Sequence, residues 1–108
     1  EQIKTYPGFY KESLNTALQQ RLQDAQRSAA FVCVDCDLYE SAVPVFRFIE
    51  PFLQEGTGGY IDDYWSGYRL NPKKGVSRAF KENEVSSSWK YDEYLSIGGT
   101  GKSFICYK

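Results

Sequence analysis

Two stretches that end in acids decide the fold: FVCVDCDLYES at residues 31–41 and GYIDDY at residues 59–64. Each reads as a short apolar strand followed by carboxylates. The segment between them, from Ser41 to Leu53, has the length and the apolar stripe of a helix. A strand, a helix and a second strand in this order predict a β-α-β unit with parallel strands, which if adjacent lie about 4.8 Å apart.

The two strands bring four carboxylates, those of Asp35, Asp37, Asp62 and Asp63, to one edge of the predicted sheet. Open α/β sheets bind their ligands at the carboxyl ends of the strands. Four negative charges at one edge repel one another unless a cation lies among them. Asp35 and Asp37 are two residues apart, so at the end of a strand their side chains lie on the same face. The consecutive Asp62 and Asp63 point to different sides unless the strand turns. This edge is the candidate functional site.

The length and the charge of the chain limit the classes of protein to which it can belong. Its 108 residues suffice for one small domain, and a hydrophobic fraction of 42% fits a folded protein. A net charge of −1 gives no electrostatic basis for binding nucleic acid or an anionic membrane. The sequence has no apolar run near the ~20 residues of a membrane span and no signal peptide, so we expect a cytoplasmic protein.

The chemistry available to the chain is restricted because it contains no histidine. Nucleophile systems that pair serine or cysteine with histidine are therefore excluded within this chain. Cys33 and Cys36 have a C-x-x-C spacing, but neither a second pair nor a histidine completes the four ligands of zinc. We expect reduced, structural thiols, because free cysteine is usually buried and an odd number of cysteines does not resemble a secreted disulfide framework.

The rest of the chain continues the alternation of strands and helices. The predicted helices cover residues 10–25, 41–53 and 73–85, and the predicted strands cover residues 1–6, 29–34, 60–61, 91–97 and 102–107. The glycine-rich turn at residues 98–101 makes the last two strands an antiparallel hairpin, and residues 64–72 form an aromatic loop. The order (β)-α-β-α-β-α-β-β predicts an α/β fold.

The strand at residues 29–34 is apolar at every position, which is typical of a strand buried on both faces of a sheet. Such a strand requires a second neighbour. We therefore expect that about half of the sheet, on the N-terminal side, is missing from this sequence or is supplied by another chain. An exposed strand edge at residues 31–34 would favour a homo-oligomer.

The acids at the sheet edge favour a hard cation, Mg²⁺ first and then Ca²⁺ or Mn²⁺, because all the ligands are oxygen atoms. Such an ion can hold a substrate hydroxyl and lower its pKa, which leaves a spare carboxylate as general base. Acids at strand ends also cap loops, and the residues themselves leave that role open.

Phosphotransfer proteins use similar acids, but they fit the spacing poorly. Haloacid-dehalogenase-type phosphatases need a lysine between the two acidic motifs, and none occurs between Asp37 and Asp62. Response-regulator receivers carry their acidic pair before the phosphoacceptor, whereas here the pair comes second. Lys102 alone matches the late lysine of the receivers.

The segments VDCDLYES at residues 34–41, IDDY at 61–64 and KGVSRAF at 74–80 resemble the macrocin O-methyltransferase (TylF-type) family. The family pattern runs D-x-D-L-Y-E-S, a helix, P-x-L-x-x-G-G, a strand, D-D-Y and a G-x-x-x-A helix. PFLQEG at 51–56 and PGFYKESL at 7–14 extend the resemblance. It implies the C-terminal part of a Rossmann-like class I methyltransferase sheet. In that sheet the strand at 102–107 lies antiparallel between those at 59–61 and 91–97.

The resemblance also implies an activity, the methylation of a hydroxyl on a sugar or another small metabolite with S-adenosylmethionine as the methyl donor. Asp35, Asp62 and Asp63 match the family's Mg²⁺ ligands, and Asp37 matches the proposed general base. The family's cofactor-binding half, with its glycine-rich loop, is absent from this sequence. The cofactor-binding residues are therefore unknown, and we expect the fragment alone to be inactive.

Three aromatic side chains beside the acids, those of Tyr39, Tyr64 and Trp65, are candidates for substrate binding, although packing in a core or a lid is favoured for them. Two other functions remain open. One is a non-catalytic assembly or binding module derived from a methyltransferase. The less favoured one is a Mg²⁺-dependent phosphotransfer domain that uses Asp35, Asp62 and Asp63.

Overall fold

The described residues form one four-stranded sheet with helices packed on one face. The structure, a computed structural model, describes residues 2–65, 71 and 73–108. Strands β1 (Phe31–Val34) and β2 (Gly58–Ile61) pair in parallel, and β4 (Gly101–Tyr107) lies antiparallel between β2 and β3 (Lys90–Ile97). The predicted α/β fold, the parallel pair and the place of the last strand are thereby confirmed.

The described residues form four α-helices: α1 (Tyr10–Ser13), α2 (Thr16–Asp24), α3 (Tyr39–Ile49) and α4 (Gly75–Ser86). A 3₁₀ turn at Glu50–Phe52 follows α3, where Pro51 ends the apolar stripe of the helix. Within the described residues, no helix is both long enough and apolar enough to cross a bilayer.

The core lies between the sheet and the two helices α3 and α4. The ring of Phe80 on α4 is at its centre, with the ring centroids of Phe46, Tyr91 and Phe104 all between 5.3 and 5.6 Å away. Phe104 lies across β2 because Gly59 has no side chain, since a Cβ there would overlap the Phe104 ring. Alternate residues of each strand therefore point into one apolar layer.

The opposite face of the sheet is open. Phe31 is 64% exposed, Cys33 is exposed, and Leu95 and Ile97 on β3 are exposed as well. Together with Ile105 and other residues, Phe31, Leu95 and Ile97 line a shallow apolar groove of about 340 Å³. In this chain the strand predicted to be buried on both faces is buried on the helix face alone, because Val32 and Val34 pack in or against the core whereas Phe31 and Cys33 are exposed.

The largest differences from the sequence prediction concern three elements. The described part of the predicted first strand, residues 2–6, contains no strand. The predicted helix at 10–25 breaks before α2, because the side chain of Asn15 caps α2 by accepting from the Leu18 amide at 2.8 Å. Helix α3 begins at Tyr39, so the predicted N-cap residue, Ser41, lies inside its first turn. Residues 66–70 and 72 of the predicted aromatic loop lie outside the described residues.

Candidate functional site

The site is built where β1 and β2 end side by side. The amide of Asp62 donates to the carbonyl of Val34 at 2.8 Å, so the parallel pairing continues one residue beyond β2. Val34 pairs with Ile61, so Asp35 and Asp37 follow β1 at the same edge of the sheet at which Asp62 and Asp63 follow β2. Asp63 adopts a left-handed backbone conformation, with φ of 54°, which aspartate tolerates better than most residues.

The structure brings three of the four predicted carboxylates together. Oxygen atoms of Asp35, Asp37 and Asp63 all lie within 4.8 Å of one another. Asp35 and Asp37 are exposed and Asp63 is half-buried, so a cation could reach this group from solvent. These three residues are called the acid triad below. An oxygen-only group of this size suits a hard divalent cation.

The electrostatics of the acid triad favour the uptake of positive charge. A hydrogen bond with Asp63, and then the negative charge of Asp63, are the main causes that raise the pKa of Asp37 above its ordinary value. Burial and then the charges of Asp37, Asp35 and Asp63 raise the pKa of Cys36 to about 11. Cys36 is therefore a neutral thiol at pH 7 and is not suited to ligate a metal as a thiolate.

Asp62 is placed differently from the sequence prediction. One of its oxygens accepts a hydrogen bond from the Tyr60 hydroxyl at 2.7 Å, and it is not a member of the acid triad. A role for Asp62 as a metal ligand stays a prediction.

The sequence analysis did not identify Tyr60 as part of this edge. The signal was nevertheless available, because Tyr60 precedes Asp62 by two residues, and residues i and i+2 of a strand share one face. Tyr60 crosses the open face above Gly101, where a Cβ would overlap its ring.

The three aromatic candidates have different environments. Tyr64 is 2% exposed, and its ring packs against Trp65 and Phe80 with Lys102 above it at 4.6 Å. Trp65 is half-buried, and its amide donates to the carbonyl of Thr100 at 2.9 Å. Tyr64 is thus a core residue, as packing arguments favoured, and it offers little surface to a substrate.

Tyr39, the third aromatic candidate, is engaged with α4. Its hydroxyl donates to Glu82 at 2.6 Å, and the guanidinium of Arg78 lies 4.2 Å above its ring. Substrate contact by any of the three aromatics stays a prediction.

Comparison with known proteins finds similarity in the fold. No protein-family model matches the sequence, and no curated protein matches it significantly. The solved structure of the O-methyltransferase NovP aligns with 97% of this chain at a TM-score of 0.68 and 23% identity. The apo structure of CalS11, a TDP-rhamnose 3'-O-methyltransferase of calicheamicin biosynthesis, aligns with 91% of it at a TM-score of 0.60 and 22% identity.

The chain shares its fold with these two O-methyltransferases. It spans 38% of the length of each. The four-stranded block is therefore a part of a methyltransferase-like α/β fold. In agreement with this placement, the glycine-rich turn at residues 98–101 joins the antiparallel strands β3 and β4 and does not open a helix, so it is no nucleotide-binding loop.

Proposed function

We propose that this chain is the metal- and acceptor-binding part of an O-methyltransferase of the macrocin (TylF) type. The enzyme would use S-adenosylmethionine and Mg²⁺ to methylate a hydroxyl of a sugar or another small metabolite in the cytoplasm. The acid triad at the ends of two parallel strands carries the proposal. The fold shared with NovP and CalS11 supports it, and the TDP-rhamnose named for CalS11 agrees with a sugar acceptor.

The donor set fits Mg²⁺, because the acid triad offers only carboxylate oxygens and two of its members are open to solvent. Asp35 and Asp63 would hold the ion, with Asp62 beside them as the third predicted ligand. Bound Mg²⁺ would supply the positive charge that lowers the pKa of an acceptor hydroxyl.

Asp37 would act as the general base. It is exposed, and its carboxylate lies within 4.8 Å of those of Asp35 and Asp63, which places it within reach of a hydroxyl held by the ion. It would take the proton of the acceptor hydroxyl, while S-adenosylmethionine would supply the methyl group to that oxygen by cleavage of its S–CH3 bond and would leave as S-adenosylhomocysteine. We assign no residue of this chain to the methyl donor.

The metal site can be tested in this chain by titration with Mn²⁺, followed by electron paramagnetic resonance of the free ion. We expect one Mn²⁺ per chain, displaced by Mg²⁺, and about a tenfold or greater loss of affinity in Asp63→Asn, since removing one charged ligand costs well over 1 kcal/mol. Asp24→Asn is the matched control, because Asp24 is an exposed acid on α2 whose carboxylate accepts a hydrogen bond from Gln20 at 2.9 Å. Equal affinities in the two variants would refute the site.

The separate roles of the acids require two further variants. Asp37→Asn should abolish methyl transfer and leave Mn²⁺ bound, whereas Asp62→Asn should weaken Mn²⁺ binding. The opposite pattern, loss of metal in Asp37→Asn and none in Asp62→Asn, would overturn the assignment. Transfer is measured in the longest polypeptide that the gene encodes, after calorimetric titration with S-adenosylmethionine in the presence of Mg²⁺.

A further inference from the structure

A ring of three contacts joins the first residue of α3 to α4. The hydroxyl of Tyr39 donates to Oε2 of Glu82 at 2.6 Å, and Nε of Arg78 donates to Oε1 of the same carboxylate at 2.8 Å. The Arg78 guanidinium closes the ring by lying 4.2 Å above the aromatic ring of Tyr39. These three residues are called the clamp below.

One member of the clamp, Tyr39, lies close to the acid triad in the sequence. Tyr39 follows Asp37 by two residues, and the loop at 35–38 connects the end of β1 to the start of α3. The β1 end of the loop is fixed by the hydrogen bond from the Asp62 amide to the Val34 carbonyl. The α3 end depends on where the first turn of α3 lies, and that turn is tied to α4 by the clamp.

A side-chain cap does not fix this end of the loop. The residue before α3 is Leu38, whose side chain cannot accept a hydrogen bond, and its carbonyl receives the amides of Ser41 and Ala42 at 3.1 and 3.0 Å. Most helix starts are held by serine, threonine, asparagine or aspartate at this position. Here the side chain of Tyr39 supplies the restraint instead.

The clamp is too exposed to matter chiefly for stability. The side chains of Arg78 and Glu82 are 48% and 50% exposed, and an exposed ion pair one turn apart on a helix contributes little by itself. The main effect of the clamp is on geometry, because it ties the first turn of α3 to α4. Hydrogen bonds from Tyr39 and then from Arg78 lower the pKa of Glu82, so the carboxylate stays ionised and keeps both partners at neutral pH.

We propose that the clamp of Tyr39, Arg78 and Glu82 is a positioning device that fixes the loop at 35–38, and so holds the ligand Asp35, together with Asp37, opposite Asp63 for a divalent cation. Tyr39 acts in this way as a positioning residue and not as a substrate contact. The inference rests on the proposed function, because it concerns the same metal site.

The test is Tyr39→Phe, which removes the hydroxyl and leaves the ring under Arg78. We expect Mn²⁺ affinity in the full chain to fall about tenfold, as is typical when the support of a ligand loop is lost. The matched control is Tyr107→Phe, because the Tyr107 hydroxyl also donates to an exposed carboxylate, Asp92 at 3.2 Å. Equal Mn²⁺ affinities in the two variants would overturn the proposal.

Two more measurements separate positioning from stability. The urea midpoints of the two phenylalanine variants should be alike, so that the difference in Mn²⁺ affinity is not caused by unfolding. Glu82→Gln should weaken Mn²⁺ binding as Tyr39→Phe does, and the double variant should be no worse than either single one, because both break one ring. Additive losses would contradict a single clamp.

A readout without metal keeps the proposal independent of the metal site. If the unsubstituted chain binds no Mn²⁺, the proposed function fails, but the clamp still predicts faster hydrogen exchange at the amides of Ser41 and Ala42 in Tyr39→Phe. Tyr107→Phe should leave those two amides unchanged. Unchanged exchange in Tyr39→Phe would refute the clamp itself.

Discussion

The two faces of the sheet differ sharply, although the same four strands form both. On the helix face, Val34, Ile61 and Phe104 are buried under α3 and α4. On the open face, Phe31 and Cys33 of the same strand β1 are exposed. The difference shows that the burial of a strand residue depends on what the fold places over it, and not on its hydrophobicity alone. In this chain, the helix face supplies most of the stabilising apolar burial.

The largest effect on stability is expected when one phenylalanine on each face of the sheet is truncated to alanine. Phe80→Ala removes a ring that is 1% exposed and should lower the free energy of unfolding by about 3–5 kcal/mol. Phe31→Ala removes a ring that is 64% exposed and should change it by less than about 0.5 kcal/mol. Urea unfolding followed by tryptophan fluorescence measures both.

Phe80→Ala could leave the chain unfolded, since a domain of this size is stable by only about 5–15 kcal/mol. Phe80→Leu keeps most of the apolar volume and should lose less than Phe80→Ala while remaining folded. If Phe31→Ala lowered the free energy of unfolding as much as either Phe80 variant does, the open face would contribute as much to stability as the helix face, and the comparison would fail.

A smaller effect is expected from adding one methyl group to the helix face. Gly59→Ala places a Cβ inside the ring of Phe104 and should destabilise the chain by about 1–3 kcal/mol, because the ring must move. Gly99→Ala is the control, since a Cβ there meets nothing within 4 Å. Thermal unfolding compares the two alanine variants, and an unchanged midpoint for Gly59→Ala would mean that the core has room.

The smallest effect is expected from chemical labelling of the three cysteine thiols in the unsubstituted chain. Cys33 on the open face should react quickly with an aromatic disulfide reagent at pH 7, whereas Cys36 and Cys106 should react only after unfolding. Burial is the main cause that raises the pKa of Cys106 to about 11, so its reactive thiolate stays scarce until the pH rises towards that value. Cys33→Ser should remove the fast phase, and a fast phase that survives would contradict this assignment.

The sequence predicted the layout of the site well, because that layout depends on periodicity. Two short apolar runs separated by one helix length led directly to the parallel pair β1 and β2, and the glycine-rich turn led to the hairpin. Three of the four predicted acids converge for the same reason. The fourth, Asp62, lies outside the acid triad, and the alternation of a strand already indicates that consecutive residues point to different sides. Which of Asp62 and Asp63 joins Asp35 and Asp37 depends on the backbone after β2, where Asp63 is left-handed, and composition does not reveal such a turn.

The details that the sequence did not predict depend on contacts between distant residues. The apolar run at 29–34 indicated burial on both faces, yet exposure of Phe31 depends on which elements cover the sheet. The start of α3 was predicted from the capping preference of Ser41. The first residue of α3, Tyr39, is instead held by Glu82 on α4, which lies 43 residues further along the chain. Local propensity cannot anticipate a restraint of that kind.

The order of the strands has a consequence for how the chain is made. β4 pairs with both β2 and β3, yet it follows both of them in the sequence. During translation, β1, β2 and β3 therefore emerge from the ribosome before β4, the strand that pairs with both β2 and β3, has been synthesised. During that interval β2 has an unpaired antiparallel edge and β3 has no partner in the sheet, which are conditions that promote aggregation of nascent chains. A chain terminated between β3 and β4 would retain both unpaired edges permanently.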